Sequence, residues 1–452
     1  MFTEELARYG TRLTYGQLPD KVIDTAKIAI LDCLGVTVAG CQEIPSRIIS
    51  EYVSGSAKAE AGVIGSGFKT AADQAAWANG TSGHALDYDD YFSMENSIPY
   101  HPTVVLLPAI LAAGEKYHLS GRDVLLAYIT GFEAQATLAK ACAKPQYDLG
   151  WHPTSTLGSL GAAAAVAKML RLDEVTTRMA LGIAASLCGG IRKNFGTMTK
   201  PLHAGNAARN GVIAAELAQK GFTADDGILD KPLSFCDILA GEAVNTEWQS
   251  EAGFYIISPG IAIKPYPSCA YTHWAIDAAL ALRREAGVNP GSIVEVQCRT
   301  SSGLPRLLIH SRPTTALEGK FSLEYCVAIA LIEGGISLTQ FTDDKVRQTV
   351  VQGLIKKVKY VHPAEMGSGL ENLRGEVAVR LQNGEVHSRR IDMAKGDPRN
   401  PLSWNELEKK YRDCVQPFLS AADTERSISL VSHLETVGDI SELMDILIEA
   451  KP

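Results

Sequence analysis

The 452-residue sequence lacks a C-x-x-C pair, an excess of basic residues, and any apolar run of the ~18 residues that a bilayer-spanning helix needs. Its 43 Lys and Arg stand against 51 Asp and Glu, a net charge of −8. Neither nucleic acid nor an anionic membrane is therefore an expected partner, since both select a basic face. The nine cysteines, an odd number, mostly occupy apolar stretches such as Leu31-Asp32-Cys33-Leu34. There a thiol behaves as a small hydrophobe, and a reducing compartment is the expected setting. The opening Met1-Phe2-Thr3-Glu4-Glu5 is acidic where a secretory leader would be basic. The expectation is a cytoplasmic protein, with the mitochondrial matrix as the alternative. Also missing are G-x-S-x-G, H-E-x-x-H and a dinucleotide fingerprint in a strand-turn-helix context. Gly65-Ser66-Gly67-Phe68-Lys69-Thr70 has the composition of a phosphate loop without the Walker spacing.

What is present is a globular chain, 46% apolar and 21% charged. Up to about residue 260 it reads as successive helices, among them 21–38, 121–143, 158–170, 174–188 and 205–220, with apolar residues three and four apart. Small residues dominate several of them, as in Gly161-Ala162-Ala163-Ala164-Ala165. Such faces predict close helix packing and a helical interface between two copies of the chain. After Pro267 the texture changes. A helix over 270–286 leads into an alternating strand, Ser292–Cys298, and later Asn383-Gly384 separates two alternating runs, a hairpin signal. Ser403-Trp404-Asn405-Glu406 fits a capping box that restarts helices. The expected fold is mainly α: a large all-helical domain of residues 1–267 plus 403–452, with a smaller α+β domain, 268–402, inserted.

Six segments combine polar residues with Gly and Pro, where reactive groups are commonly displayed. They are Gly83-His84-Ala85-Leu86-Asp87-Tyr88-Asp89-Asp90-Tyr91 with Tyr100-His101-Pro102; Gly150-Trp151-His152-Pro153-Thr154; Met198-Thr199-Lys200-Pro201-Leu202-His203; Lys264-Pro265-Tyr266-Pro267-Ser268-Cys269; Lys320-Phe321-Ser322-Leu323-Glu324-Tyr325; and Gly396-Asp397-Pro398-Arg399-Asn400-Pro401. If the first were helical, His84 and Asp87 would share a face, as would Asp87 and Asp90. A metal cluster and a plain helix-end carboxylate cluster both fit that spacing. In the second and third a basic residue precedes Pro at the mouth of a helix, whose free N–H groups suit a carboxylate. Lysines and histidines with few nucleophilic serines suggest proton transfer on an anionic substrate.

Taken in order, these motifs resemble the MmgE/PrpD family, which includes 2-methylcitrate dehydratase, cis-aconitate decarboxylase and iminodisuccinate epimerase. The resemblance covers nearly the whole chain. It implies a homodimer and an active site between the domains that uses neither metal nor organic cofactor. The active-site positions it carries over are Asp87, His101, His152, Lys200, Lys264 and Tyr325. Cys269 stands where decarboxylases of the family have a histidine, and Tyr91 where they have a threonine. Thr154, His203, Tyr266 and Ser268 join Tyr91 as expected substrate contacts. The reaction so implied is a lyase step on a small di- or tricarboxylate, by proton abstraction next to a carboxylate, with dehydration of the 2-methylcitrate type first. Epimerisation, with Cys269 as one proton carrier, and cis-aconitate decarboxylation follow. A catalytically inactive carboxylate-binding protein is the non-enzyme alternative. With Lys264 at the hinge and Tyr325 in the small domain, that domain is expected to act as a lid.

Overall fold

Helix formation in the first half follows from long Ala-rich segments that begin at Ser, Asp or Pro. Ser120 caps the helix Gly121–Asp148 through a capping box with Asp123, Asp173 caps Glu174–Leu187, and Pro153 opens Pro153–Met169 at its first turn. The computed structural model describes residues 1–92, 98–246, 253–368 and 374–451. Two compact units emerge: Met1–Ala262 with Ser403–Pro452, and Ile263–Leu402.

In the first unit the small residues let helix backbones meet. A Cβ on Gly80 would lie 2.8 Å from Gly205 Cα, and one on Gly211 would collide with Ala162. The helices Ala72–His84, Pro153–Met169 and Thr199–Gln219 are thereby drawn together at their glycine contacts. Every residue from Pro153 to Ala167 is buried within this one chain. Gly161 in this helix faces Gln135 and Gly131 of the same chain. Pro108 sits inside the helix Thr103–Tyr117 rather than ending it. Gly65 and Gly67 take positive φ in the short hairpin of Ala61–Val63 and Phe68–Thr70, a tight turn. Among the described residues no helix is long and apolar enough to cross a membrane.

The second unit is a four-stranded sheet in the order Val358–Val361, Ile293–Arg299, Gly375–Leu381, Val386–Ile391. The first pair is parallel and the others antiparallel. The helices His273–Glu285 and Leu323–Glu333 bury Trp274 and Tyr325 in its core. The Asn383-Gly384 hairpin departs from the expected pair of left-handed residues. Only Gly384 has positive φ (89°), while Asn383 uses its side chain to accept the Glu385 N–H.

The chain returns to the first unit through the helix Trp404–Val415, opened by the capping box of Ser403 and Glu406. This helix buries a cation. Lys410 Nζ lies 2.6 Å from Asp32 Oδ1, donates to the Tyr88 carbonyl at 3.0 Å and sits 3.8 Å from the Tyr88 ring centre. Lys410→Met removes the ion partner of a buried carboxylate and should lower the unfolding free energy by about 3–5 kcal/mol in chemical denaturation. Coupling it with Asp32→Leu should restore most of that loss; a single variant as stable as the parent would show that the pair bears no load.

Candidate active site

The helix Ala72–His84 stops at His84, and Asp87 then takes a left-handed backbone, φ 53°, which aspartate tolerates better than most residues. The carboxylates that follow leave the helical spacing expected of them. Asp89 turns back to His84, both its oxygens lying 2.9–3.0 Å from His84 Nδ1. Asp87 instead meets Lys200 Nζ, 2.8 Å away in the first turn of Thr199–Gln219. Asp90 points elsewhere again, accepting from Thr103, whose hydroxyl also contacts Tyr128 at 2.7 Å. Left-handed Asp87 is the physical reason, since it breaks the 3.6-residue repeat on which the spacing argument stood.

Four imidazoles gather in this unit. The His84 and His101 ring centres are 4.5 Å apart, those of His84 and His152 6.3 Å, and those of His152 and His203 5.3 Å. His101 Nδ1 lies 2.9 Å from Asp89 Oδ2 and 2.7 Å from the Asp90 carbonyl, and the His101 N–H donates to Thr154 Oγ1 at 3.1 Å. The Nδ1 atoms of His152 and His203 are 3.1 Å apart, so one donates and the other accepts. His152 is the residue before Pro153 at its helix mouth and Lys200 precedes Pro201, so both helix N-termini carry a basic group as expected. Phe195 borders the site, its ring centre 4.8 Å from that of His152 and 5.5 Å from Lys200 Nζ.

Electrostatics follow from burial. Desolvation pushes the His84 imidazole down to about 4, Asp89 opposing it while Lys200 and His101 add to it. Burial, with neighbouring imidazoles and Lys200, holds His152 well below its ordinary value; His203 is lowered by burial and Lys200. For Asp89 burial would act upward, yet His84 and His101 keep its carboxyl well below the usual range. Asp90 moves oppositely, raised by burial and by Asp32 and Asp89. At neutral pH the site therefore pairs ionised Asp89 with uncharged His84 and His152.

His84, Asp89 and His101 are also a group whose donor atoms lie within 4.8 Å of one another, a spacing that suits a metal ion. His84 Nδ1 and His101 Nδ1 already face the Asp89 oxygens at hydrogen-bond distance. The remaining expected residues are placed as follows. Thr154 is buried and serves the His101 backbone, and Tyr91 lies in the strand Tyr91–Phe92, paired with Ile261–Ala262. Lys264, Tyr266, Ser268, Cys269 and Tyr325 belong to the second unit. There Lys264 is buried, the Tyr266 hydroxyl donates to Asp277 at 2.6 Å, and Ser268 Oγ meets Thr272 Oγ1 at 2.8 Å. Cys269 is half-buried, its N–H bonded to the Lys320 carbonyl, and the buried Tyr325 donates its hydroxyl to the Gln340 carbonyl. His84 and Asp89 stood in the quoted motif but outside the expected site. Helical spacing would pair His84 with Asp87, whereas the fold pairs His84 with Asp89 and Asp87 with Lys200.

His84 makes the fold sensitive to acid. Its folded value is depressed from 6.5 to about 4, so the unfolded chain takes up the proton first as pH falls. The stabilisation is complete above about 6.5 and disappears toward pH 4, on the order of 3 kcal/mol at about 1.4 kcal/mol per pKa unit. Unfolding midpoints should fall across that window, and His84→Gln should flatten the decline; an unchanged slope would contradict it.

Residues 4–247 match the MmgE/PrpD N-terminal domain and residues 266–436 the MmgE/PrpD C-terminal domain. Cis-aconitate decarboxylase of Homo sapiens is 32% identical over 98% of this chain and 94% of its own length. That of Aspergillus terreus (strain NIH 2624 / FGSC A1156) is 28% identical over 98% and 95%. The probable 2-methylcitrate dehydratase of Saccharomyces cerevisiae is 25% identical over 74% and 69%. With both of its domains matched in order across the histidine cluster and the sheet, the chain belongs to the MmgE/PrpD family.

Proposed function

We propose that the protein is a cofactor-independent lyase of a small di- or tricarboxylate, moving a proton at the carbon next to a carboxylate. The observation that carries this reading is the Lys200–Asp87 pair set in one unit with four interacting imidazoles. A hydrogen next to a carboxylate is very weakly acidic, so a base alone leaves most of the barrier in place. Charge that develops on the carboxylate during reaction needs a fixed cation and donors, and Lys200 with the N-termini of Pro153–Met169 and Thr199–Gln219 supplies them. His101 or His152 then takes or delivers the proton at carbon. Lys264 and Tyr325 are carried as further substrate contacts by the family resemblance.

Cis-aconitate is the first substrate to test, because the decarboxylase relatives align over almost the entire chain and the dehydratase over three-quarters. This reverses the order suggested by the motifs alone. Dehydration stays as the second reading on a specific observation: Tyr91 and Cys269 replace the threonine and histidine of the decarboxylase pattern. A homodimer in the cytoplasm is part of the same proposal.

Proton NMR of the purified protein with cis-aconitate and with 2-methylcitrate in heavy water decides among them. Loss of a carboxylate identifies a carboxy-lyase and loss of water a hydro-lyase. Lys200→Ala should lower kcat about a thousandfold while circular dichroism still shows the parent fold. Absence of any product and of any solvent deuterium at carbon, or a folded Lys200→Ala with full turnover, would overturn the proposal.

A further inference from the structure

Asp89 is a wholly buried carboxylate with two imidazoles on it and no lysine or arginine paired to it among the described ion pairs. Each contact is informative about a proton. His101 Nδ1 faces two acceptors at once, Asp89 Oδ2 at 2.9 Å and the Asp90 carbonyl at 2.7 Å. A ring nitrogen presenting its lone pair to two oxygens would be repelled by both, so Nδ1 must carry the hydrogen. His84 Nδ1 faces both Asp89 oxygens, at 2.9 and 3.0 Å, and the same reasoning applies. In the neutral rings the lone pair is then on Nε2. His84 Nε2 is buried without a hydrogen-bond partner among the described residues, so Asp89 is the group that orients this ring.

We propose that Asp89 is the positioning residue of the site, fixing His84 and His101 together as Nδ1–H tautomers and so reserving Nε2 of His101 for proton transfer. Its own place is fixed from behind. Lys410 grips the carbonyl of Tyr88, the residue before it, and Thr154 holds the His101 backbone from the helix Pro153–Met169. With a side-chain exposure of 13%, His101 is more open to solvent than His84, at 0%. That difference gives the two rings separate parts. His101 is the proton carrier, and His84 completes the hydrogen-bonding of the carboxylate from the buried side. When His101 takes up a proton, Asp89 faces the imidazolium directly and stabilises it without accepting the proton itself. The same carboxylate–histidine logic orients other catalytic imidazoles.

The kinetic half of this inference rests on the proposed lyase reading; the tautomer half does not. Nitrogen-15 NMR of the full chain labelled at histidine, with His101 assigned by His101→Gln, reads the tautomers directly. The expected result is Nδ1–H at both His84 and His101 in the parent. Asp89→Asn offers an amide that cannot accept both hydrogens through two oxygens, so at least one ring should change tautomer. With cis-aconitate, kcat should fall about 10²–10⁴-fold and KM stay within about threefold, a split that general loosening of the fold would not produce. An Nε2–H tautomer for His101 in the parent overturns the proposal whether or not the variant folds. So does an Asp89→Asn protein with unchanged tautomers and kcat. A stoichiometric divalent metal in the purified protein, whose removal shifts the His84 and His101 signals, would make these residues ligands and overturn it too. Expected tautomers in a protein inert toward every polycarboxylate would support the Asp89 arrangement while sinking the lyase reading.

Discussion

Burying a carboxylate away from water is costly unless its oxygens are occupied, and Asp89 meets that demand with two imidazoles. Much of the first unit can be understood from this constraint. The chain must reverse within five residues of His84 to bring Asp89 back onto it, which places Asp87 in the left-handed region. The turn must also be held, and the helix that returns after the second unit does so by extending Lys410 to the Tyr88 carbonyl while pairing it with Asp32. The glycine contacts among the helices then bring the N-termini of Pro153–Met169 and Thr199–Gln219 to the same region, with His152 and Lys200.

The charge arrangement is the second consequence. Imidazoles deprived of water and set near an ammonium lose protons readily, so His84 and His152 are uncharged at neutral pH. Lys200 is the cation that Asp87 holds, and Asp89 is the anion that the rings surround. With Lys200 and Asp87 offsetting each other and these rings uncharged, Asp89 leaves the site with a net negative charge that an added anion would increase. A polycarboxylate brought to it would draw protons onto the rings and compete with Asp87 for Lys200, which is the response that proton transfer at carbon requires.

Much of this was legible in the sequence. Long Ala-rich periodic segments became helices, and the change of texture near Pro267 lies close to the start of the unit that holds the four-stranded sheet, Ile263. Two helices start earlier than their apolar periodicity at 158 and 205 indicates, at Pro153 and Thr199, because the polar motifs at their mouths form the first turns. The histidine and lysine motifs were visible as chemistry, and His101, His152, His203, Lys200 and Asp87 do gather. What could not be read was the pairing. Residue spacing describes a helix, and one left-handed residue moves His84 from Asp87 to Asp89. Lys410 escaped for a different reason: in an amphipathic, charged helix nothing in the sequence separates a buried lysine from its solvated neighbours, Lys409 among them. Burial of that kind is decided by a partner hundreds of residues away.

Uncharged buried imidazoles that take up protons when an anion binds are read most directly by proton linkage. A non-reacting tricarboxylate, tricarballylate, can be titrated calorimetrically into the protein near pH 6.5 in buffers of different ionisation enthalpy. The account predicts that the apparent binding heat varies with the buffer in the sense of net proton uptake, since bound carboxylates raise the lowered imidazoles. Saturable binding with a heat independent of the buffer, or with proton release, would contradict it.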